Sequence, residues 1–224
     1  MEYILPSGSK KRMTKLLIIT YYWPPSGGPG VQRWLKFSKF LPEFNIDPII
    51  LTVDPQFAEY PLYDKSLEKD VSGTLKVIRT KSFELYSLYK KLTGSKQVPY
   101  SGFATETKVN FIQKVSRFIR GNFFIPDPRK GWNRYAYKKA MKILQSEQIN
   151  TIITTGPPHS THLIGKKLRK KITVKWIADL RDPWTDIFYY DKFYPTSLSK
   201  KIDTKHERNT FKYADHIIVV SNSM

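Results

Sequence analysis

The stretch "KLLIITYYWPPSGGPGVQRWLKFSKF", Lys15 to Phe40, decides the fold. Its first six residues are a short apolar run with β-branched members, the pattern of a strand covered on both faces. Proline and glycine then supply six of the fourteen residues from Tyr21 to Trp34. Beyond this turn, Val31, Trp34, Leu35, Ser38 and Leu41 fall at i, i+3, i+4, i+7 and i+10, while Gln32, Arg33, Lys36 and Lys39 take the opposite face. The spacing predicts an amphipathic helix stopped near Pro42. "PIILTV", Pro48 to Val53, follows as a second strand, and the three elements have the length of a right-handed crossover.

The same alternation continues along the chain. "TLKVIRT" (residues 74 to 80), "NTIITTG" (150 to 156), "TVKWIADL" (173 to 180) and "HIIVVS" (216 to 221) read as further strands. Helical patterns run near Phe83 to Leu92, Val109 to Arg120 and Asn133 to Leu144. These elements predict an α/β fold: a Rossmann-like, doubly wound, mainly parallel sheet with helices on both faces. Residues 1 to 13 read as a disordered extension and 14 to 224 as one domain; neither a repeat nor a linker interrupts it.

Composition limits the function. The chain has 224 residues, 40% hydrophobic and 14% aromatic, which suits a packed core rather than a disordered chain. Its 38 Lys and Arg against 19 Asp and Glu give a formal charge of +19, and a field that large implies a polyanionic neighbour: nucleic acid, an anionic membrane or phosphorylated ligands. Lys108 to Lys142 holds ten basic residues against the single acid Asp127, and Lys166 to Lys171 reads "KKLRKK". No cysteine is present, so disulfides, thiolate metal sites and cysteine catalysis are excluded. No apolar run approaches the ~20 residues of a membrane helix, and the first residues carry their charges in the reverse order of a signal peptide.

In a parallel sheet, ligands bind beyond the carboxyl ends of the strands, so the loops there hold the candidate chemistry. In "PPSGGPG", Gly28 suits an N-cap and Pro29 the first helical position, which would leave the N–H groups of Gly30 and Val31 at the positive helix end for a phosphate. A plain tight turn opening a helix fits equally. Neither G-x-x-x-x-G-K-[ST] nor G-x-G-x-x-G is present, Arg33 standing where the last glycine of the second would be; Asp54 alone keeps a dinucleotide reading alive. His159 and His162 lack a nearby third ligand for zinc, and His159 is placed to hydrogen-bond in the cleft. In "DLRDPWTD", Asp179, Arg181, Asp182 and Asp186 surround Trp184, a set suited to a sugar or phosphate: carboxylates accept from hydroxyls, Arg binds phosphate, and an indole face packs on a pyranose. An Arg–Asp pair anchoring the loop is the alternative.

Three strings, "YWPPSGGPGVQRWLKF" at 22 to 37, "IPDPRKGW" at 125 to 132 and "DLRDPWTD" at 179 to 186, together resemble the amino-terminal domain of family 4 glycosyltransferases. The resemblance covers residues 14 to 224 and is strongest to a bacterial subgroup that builds surface polysaccharides. It implies one half of a retaining GT-B enzyme, the acceptor side, facing a carboxy-terminal domain that binds the nucleotide-sugar. That second domain and its E-x7-E signature are absent from these residues, so little or no transferase activity is expected of this chain alone. By the resemblance, Gly27, Gly28 and Gly30 would lie against the donor's distal phosphate and the acceptor. Asp182 would be the catalytic residue that hydrogen-bonds or deprotonates the acceptor hydroxyl. Arg181 and Asp182 stand where many relatives carry His-Asp, which removes a histidine-based role. Asp127, Trp132, His159, Arg181 and Trp184 would contact the acceptor. No cofactor and no metal are expected; the donor is a nucleotide-sugar and the acceptor a glycan or a lipid-linked molecule.

The resemblance also places the enzyme in the cytoplasm, free or peripheral on the inner face of the membrane. "KVNFIQKVSRFIRGNFF" puts Val109, Ile112, Val115, Phe118 and Ile119 near one helix face with Lys108, Lys114, Arg117 and Arg120 around it, next to Phe123 and Phe124. Such a helix suits either an anionic membrane interface or the domain's own core. Two readings of other classes remain, a basic module for nucleic acid or anionic membranes, without any recognised nucleic-acid motif, and a dinucleotide-dependent oxidoreductase domain.

Overall fold

The structure, a computed structural model, describes residues 13–83 and 111–221. Its strands are β1 (Thr14–Ile19), β2 (Ile46–Val53), β3 (Lys76–Thr80), β4 (Thr151–Gly156), β5 (Lys175–Leu180) and β6 (His216–Val219). Its helices are α1 (Pro29–Phe40), α2 (Phe111–Phe123), α3 (Asn133–Ser146), α4 (Ser160–Lys171) and α5 (Ser197–Tyr213). The strands form one sheet in the order β3-β2-β1-β4-β5-β6, and every neighbouring pair is parallel. Strand order reverses between β1 and β4, which opens a crevice above their carboxyl ends. This is a Rossmann-like, doubly wound α/β fold, as the alternation of strand and helix patterns predicts.

Side-chain alternation along the strands divides the core into two layers. Leu17 and Ile19 of β1 and Ile49, Leu51 and Val53 of β2 face Ala136, Ala140, Ile143 and Leu144 of α3 and Ile164 and Leu168 of α4. Leu16, Ile18 and Ile50 face the other way, onto Val31, Trp34 and Leu35 of α1. Helices therefore cover both faces, and the apolar stripe of α1 is the one its spacing predicts. Leu17, Ile18 and Ile19 are wholly buried, each worth ~1.5–3 kcal/mol. α4 lies close enough to the sheet that a Cβ on Gly165 would stand 2.3 Å from the indole nitrogen of Trp176.

Boundaries move by a residue or two for local reasons. β2 starts at Ile46 because its register with β1 already begins at Thr14↔Ile46. β3 starts at Lys76 because residues 72–75 are closed into a turn by the Leu75 N–H on the Ser72 carbonyl. α1 gives way after Phe40 to a 3₁₀ turn, Leu41–Phe44, that contains Pro42 and ends at Asn45 with φ 59°. The expected extension, the pattern from Phe83 to Leu92, and Lys108, Val109 and Asn222 to Met224 lie outside the described residues, Met13 and Phe83 excepted.

α2 bears on one open alternative. Arg117 is the buried side of this helix, while Phe111, Val115 and Phe118 are exposed at 79%, 39% and 42%. Of the expected stripe, Val115 and Phe118 therefore face outward, and Ile119 is half-buried. The carboxyl end of α2 is tied to the start of α5, where the Asn122 side-chain carbonyl accepts from the Thr196 N–H and the Ser199 hydroxyl, both at 2.7 Å.

One carboxylate joins β4 and β5 to α1. Asp179, at the carboxyl end of β5, is wholly buried and accepts from Trp34 Nε1 at 2.7 Å, Thr155 Oγ1 at 2.8 Å and Arg33 Nη2 at 3.1 Å. Asp179→Ala strands three donors and leaves Arg33 without its counter-charge, so it is expected to cost about 3–5 kcal/mol. A denaturant midpoint within error of the unsubstituted chain would refute that role.

Candidate functional site

The site lies over the carboxyl ends of β1, β4 and β5. The turn after β1 is braced by the neighbouring loop: the Gly27 N–H donates to the Leu62 carbonyl, the Asp64 N–H donates to the Pro25 carbonyl, and Ser26 pairs with Tyr63. Gly28 is the N-cap of α1 at φ 102°, a conformation that needs glycine, and Pro29 follows at the first helical position. The sequence places this cap correctly, and one of the two donors expected there is engaged. The Val31 N–H is bonded to the Gly28 carbonyl at 3.1 Å, so it is not open to a ligand.

The bare sides of two glycines are also occupied by the protein itself. A Cβ on Gly27 would press on Leu62 and Asp64 at 3.0–3.1 Å. A Cβ on Gly30 would fall 1.2 Å from Nη1 of Arg181. Arg181 comes from the loop after β5, where its Nε donates to the Gly156 carbonyl at 3.2 Å and its Nη2 to the Pro157 carbonyl. Its guanidinium is thereby seated at the amino-terminal end of α1, and burial lowers its proton affinity from the usual arginine range. The first turn of α1 has no acidic residue. Helix end and guanidinium thus bring positive potential to one place.

Asp182 follows Arg181, half-buried, and its carboxylate makes no hydrogen bond or ion pair among the described residues. The alternative of an Arg181–Asp anchor finds no ion pair among the described residues: Asp179 pairs with Arg33.

Four of the five residues expected to meet an acceptor have different neighbours from those the motifs suggest. Trp132 is a correction: it is wholly buried, its Nε1 donates to Thr80 Oγ1 at 2.8 Å, and Tyr21 packs edge-on against it. It belongs to the core because the 3₁₀ turn Pro128–Trp132 turns its large ring inward against β1. Trp184 is likewise corrected as an open stacking face. It is 3% exposed, stacks on His159 at 4.7 Å and 11°, and donates from Nε1 to Asp203 at 2.7 Å. His159 bonds the Pro183 backbone and is kept neutral by burial, its pKa lowered to about 3. Asp127 caps the 3₁₀ turn through the Arg129 N–H at 2.9 Å and holds the start of α4 through the Ser160 N–H at 2.7 Å and hydroxyl at 2.8 Å. Asp54, the residue that kept the dinucleotide reading alive, caps a short turn through the Gln56 N–H.

Sequence reasoning missed Asp203 and Glu207. They stand one turn apart on α5, and both hold the loop after β5: Asp203 accepts from Trp184 and from the Tyr190 hydroxyl at 3.0 Å, and Glu207 from the N–H and hydroxyl of Thr185. The i, i+4 spacing was their only trace. Asp127, His159, Trp184 and Asp203 line one cavity of about 120 Å³ beside the loop.

The fold is a Rossmann-like α/β domain whose candidate chemistry lies over β1, β4 and β5. Neither a protein-family model nor a curated protein sequence matches the chain. Among solved structures it is similar to MurG of Acinetobacter baumannii, at 9% identity and a TM-score of 0.46, over 94% of this chain and 42% of that one. It is similar to the SsfS6 glycosyltransferase of Streptomyces sp. SF2575, at 13% identity and a TM-score of 0.43, over 94% of this chain and 51% of that one. A protein of unknown function from Vibrio parahaemolyticus gives 10% identity and a TM-score of 0.38, over 97% of this chain and 99% of that one. The chain thus spans about half the length or less of the first two.

The Gly30–Arg181 contact makes a specific expectation. Gly30→Ala forces the guanidinium out of its seat and is expected to cost about 1–3 kcal/mol. In an Arg181→Ala background the same change should be neutral or stabilising, because alanine favours the helix. Equal costs in both backgrounds, read by chemical denaturation, would sink the contact.

Proposed function

We propose that this chain is the acceptor-side half of a retaining glycosyltransferase of the family 4, GT-B type, acting in bacterial surface-polysaccharide synthesis. The observation that carries the reading is the seating of Arg181 over Gly30. It joins two of the three family-like strings, "PPSGGPG" and "DLRDPWTD", at the carboxyl ends of a parallel sheet. The third string meets them through Asp127, which holds Ser160 at the start of α4. Three strings far apart in sequence thus converge at the end of the sheet where ligands of such folds bind.

In this reading the donor is a nucleotide-sugar held mainly by a second α/β domain of the same polypeptide, and no metal takes part. The amino-terminal end of α1 and the Arg181 guanidinium stabilise charge developing on the leaving diphosphate. Fixed donors and a positive charge need no reorganisation at the moment of bond cleavage. Asp182, without a hydrogen bond or ion pair among the described residues, accepts the hydrogen of the acceptor hydroxyl as that oxygen attacks. His159 is buried and neutral, so it positions the loop through Trp184 and Pro183 and carries no proton in the reaction.

The test uses the polypeptide that joins this domain to its nucleotide-sugar domain. Asp182→Ala is expected to lower kcat by about 10²–10⁴-fold, with the donor KM within about threefold. Unchanged kcat removes Asp182 from the chemistry. The absence of any nucleotide-sugar-dependent transfer by the unsubstituted polypeptide, with extracted lipid-linked acceptors, removes the transferase reading itself.

The outward apolar residues of α2 support a membrane-facing position for the acceptor. Phe111, Val115 and Phe118 are exposed beside Lys114, which is also exposed, the chemistry of a basic helix lying in an anionic interface. Replacing Phe111 and Phe118 together with serine is expected to weaken sedimentation with phosphatidylglycerol vesicles about tenfold or more. Phosphatidylcholine vesicles should bind weakly in both cases. Equal binding to the two lipids would leave the stripe without this role.

A further inference from the structure

We propose that Tyr63, in the loop after β2, is the face on which the acceptor's pyranose ring stacks. The proposal rests on the transferase reading for calling that ring an acceptor; the stacking itself needs only a carbohydrate ring.

The two indoles expected to serve this purpose, Trp132 and Trp184, are buried in the protein. Tyr63 is 54% exposed, and Leu62 beside it is 50% exposed. Single apolar side chains on a surface are ordinary, but these two belong to a segment that is tied down. Ser26 pairs with Tyr63 as an antiparallel bridge, the Gly27 N–H donates to the Leu62 carbonyl at 2.9 Å, and the Asp64 N–H donates to the Pro25 carbonyl at 2.8 Å. The loop is thereby fastened to the turn that opens α1. Leu62 and Asp64 close on Gly27 of that turn and Arg181 closes on Gly30, so the exposed pair and the guanidinium border the same few residues.

Tyr60 meets Tyr63 edge-on at 5.4 Å, which uses at most one face of the Tyr63 ring. Among the described residues Tyr63 has no other ring or cation contact. Tyr60 is 6% exposed, lies 6.2 Å from both Tyr21 and Tyr22, and its hydroxyl is buried without a hydrogen-bond partner. Burial raises the pKa of that hydroxyl above the ordinary tyrosine value, so it keeps its proton and remains a donor. A pyranose matches this arrangement. Its C–H face lies on an aromatic ring, and a hydroxyl at its rim accepts from a phenol. A nucleobase also stacks, but its edge needs matching donors and acceptors, and the Gly27 and Asp64 N–H groups and the Pro25 and Leu62 carbonyls are already bonded to one another.

The experiment titrates the chain with methyl glucoside, methyl galactoside, methyl N-acetylglucosaminide and adenosine, and follows the Tyr63 ring signals by NMR. At least one glycoside is expected to shift them and to bind more tightly than adenosine. Tyr63→Ala should weaken that glycoside about tenfold, with little change in the unfolding midpoint because the side chain is exposed. Tyr63→Phe keeps the ring and should bind within about threefold of the unsubstituted chain. Tyr60→Phe removes only the unpartnered hydroxyl and should weaken the glycoside about threefold without lowering the midpoint; unchanged binding removes that hydroxyl from the site. In the polypeptide that carries the nucleotide-sugar domain, Tyr63→Ala should raise the acceptor KM about tenfold and leave kcat within about threefold. Glycoside binding that depends on Tyr63, without any transfer, keeps the proposed stacking face and removes the transferase reading. Transfer with an acceptor KM unmoved by Tyr63→Ala keeps that reading and overturns the proposal. Glycosides that leave the Tyr63 signals in place, or adenosine that binds better through the same ring, overturn it as well.

Discussion

The geometry of the ligand end depends on the buried carboxylate of Asp179. It sits at the tip of β5 and takes one donor from β4, through Thr155, and two from α1, through Arg33 and Trp34. A charged acceptor in a dry site is stable only while its donors are in place, so it fixes the rotation of α1 about its axis as well as its distance from the sheet. Fixing that rotation fixes the direction of the Gly28–Gly30 turn. Two residues further along the chain, Arg181 reaches the same turn from the other side. Helix, turn and loop are therefore one mechanical unit, and the candidate chemistry of Arg181 and Asp182 inherits its placement from an acid that contacts no ligand.

A second pair of acids does for the far side of the loop what Asp179 does for the near side. Asp203 and Glu207 of α5 hold Trp184, Thr185 and Tyr190, and the α2 end is held through Asn122. A loop of this length would ordinarily be among the most mobile parts of a domain. Here its tryptophan is buried between His159 and α5, so residues 181 and 182 are constrained from both directions. The expense is the buried carboxylate of Asp203, whose pKa burial raises to about 6.

The fold was legible because its signals are redundant. Apolar runs of β-branched residues gave each strand, and Val31, Trp34 and Leu35 gave the buried face of α1. The site was legible only in outline. Gly28 was readable as a cap, since Pro29 follows it, but the purpose of Gly30 was not: its missing side chain makes room for a residue 151 positions away, and no local pattern encodes that. Trp132 and Trp184 misled for a related reason. An indole beside charged residues has a polar handle and a large apolar body, and the sequence does not say whether the handle meets a ligand or, as here, Thr80 and Asp203. Asp203 itself was hidden in a polar helix pattern, its burial set by a loop that folds onto it.

The acids and the bases of this chain are used in different places. The acids are used inward, capping turns at Asp54, Asp64 and Asp127 and pinning loops at Asp179, Asp203 and Glu207. The surface is thereby left to lysine and arginine, which is how 38 bases and 19 acids yield a shell that attracts polyanions. That attraction is screened within about 8 Å at physiological ionic strength.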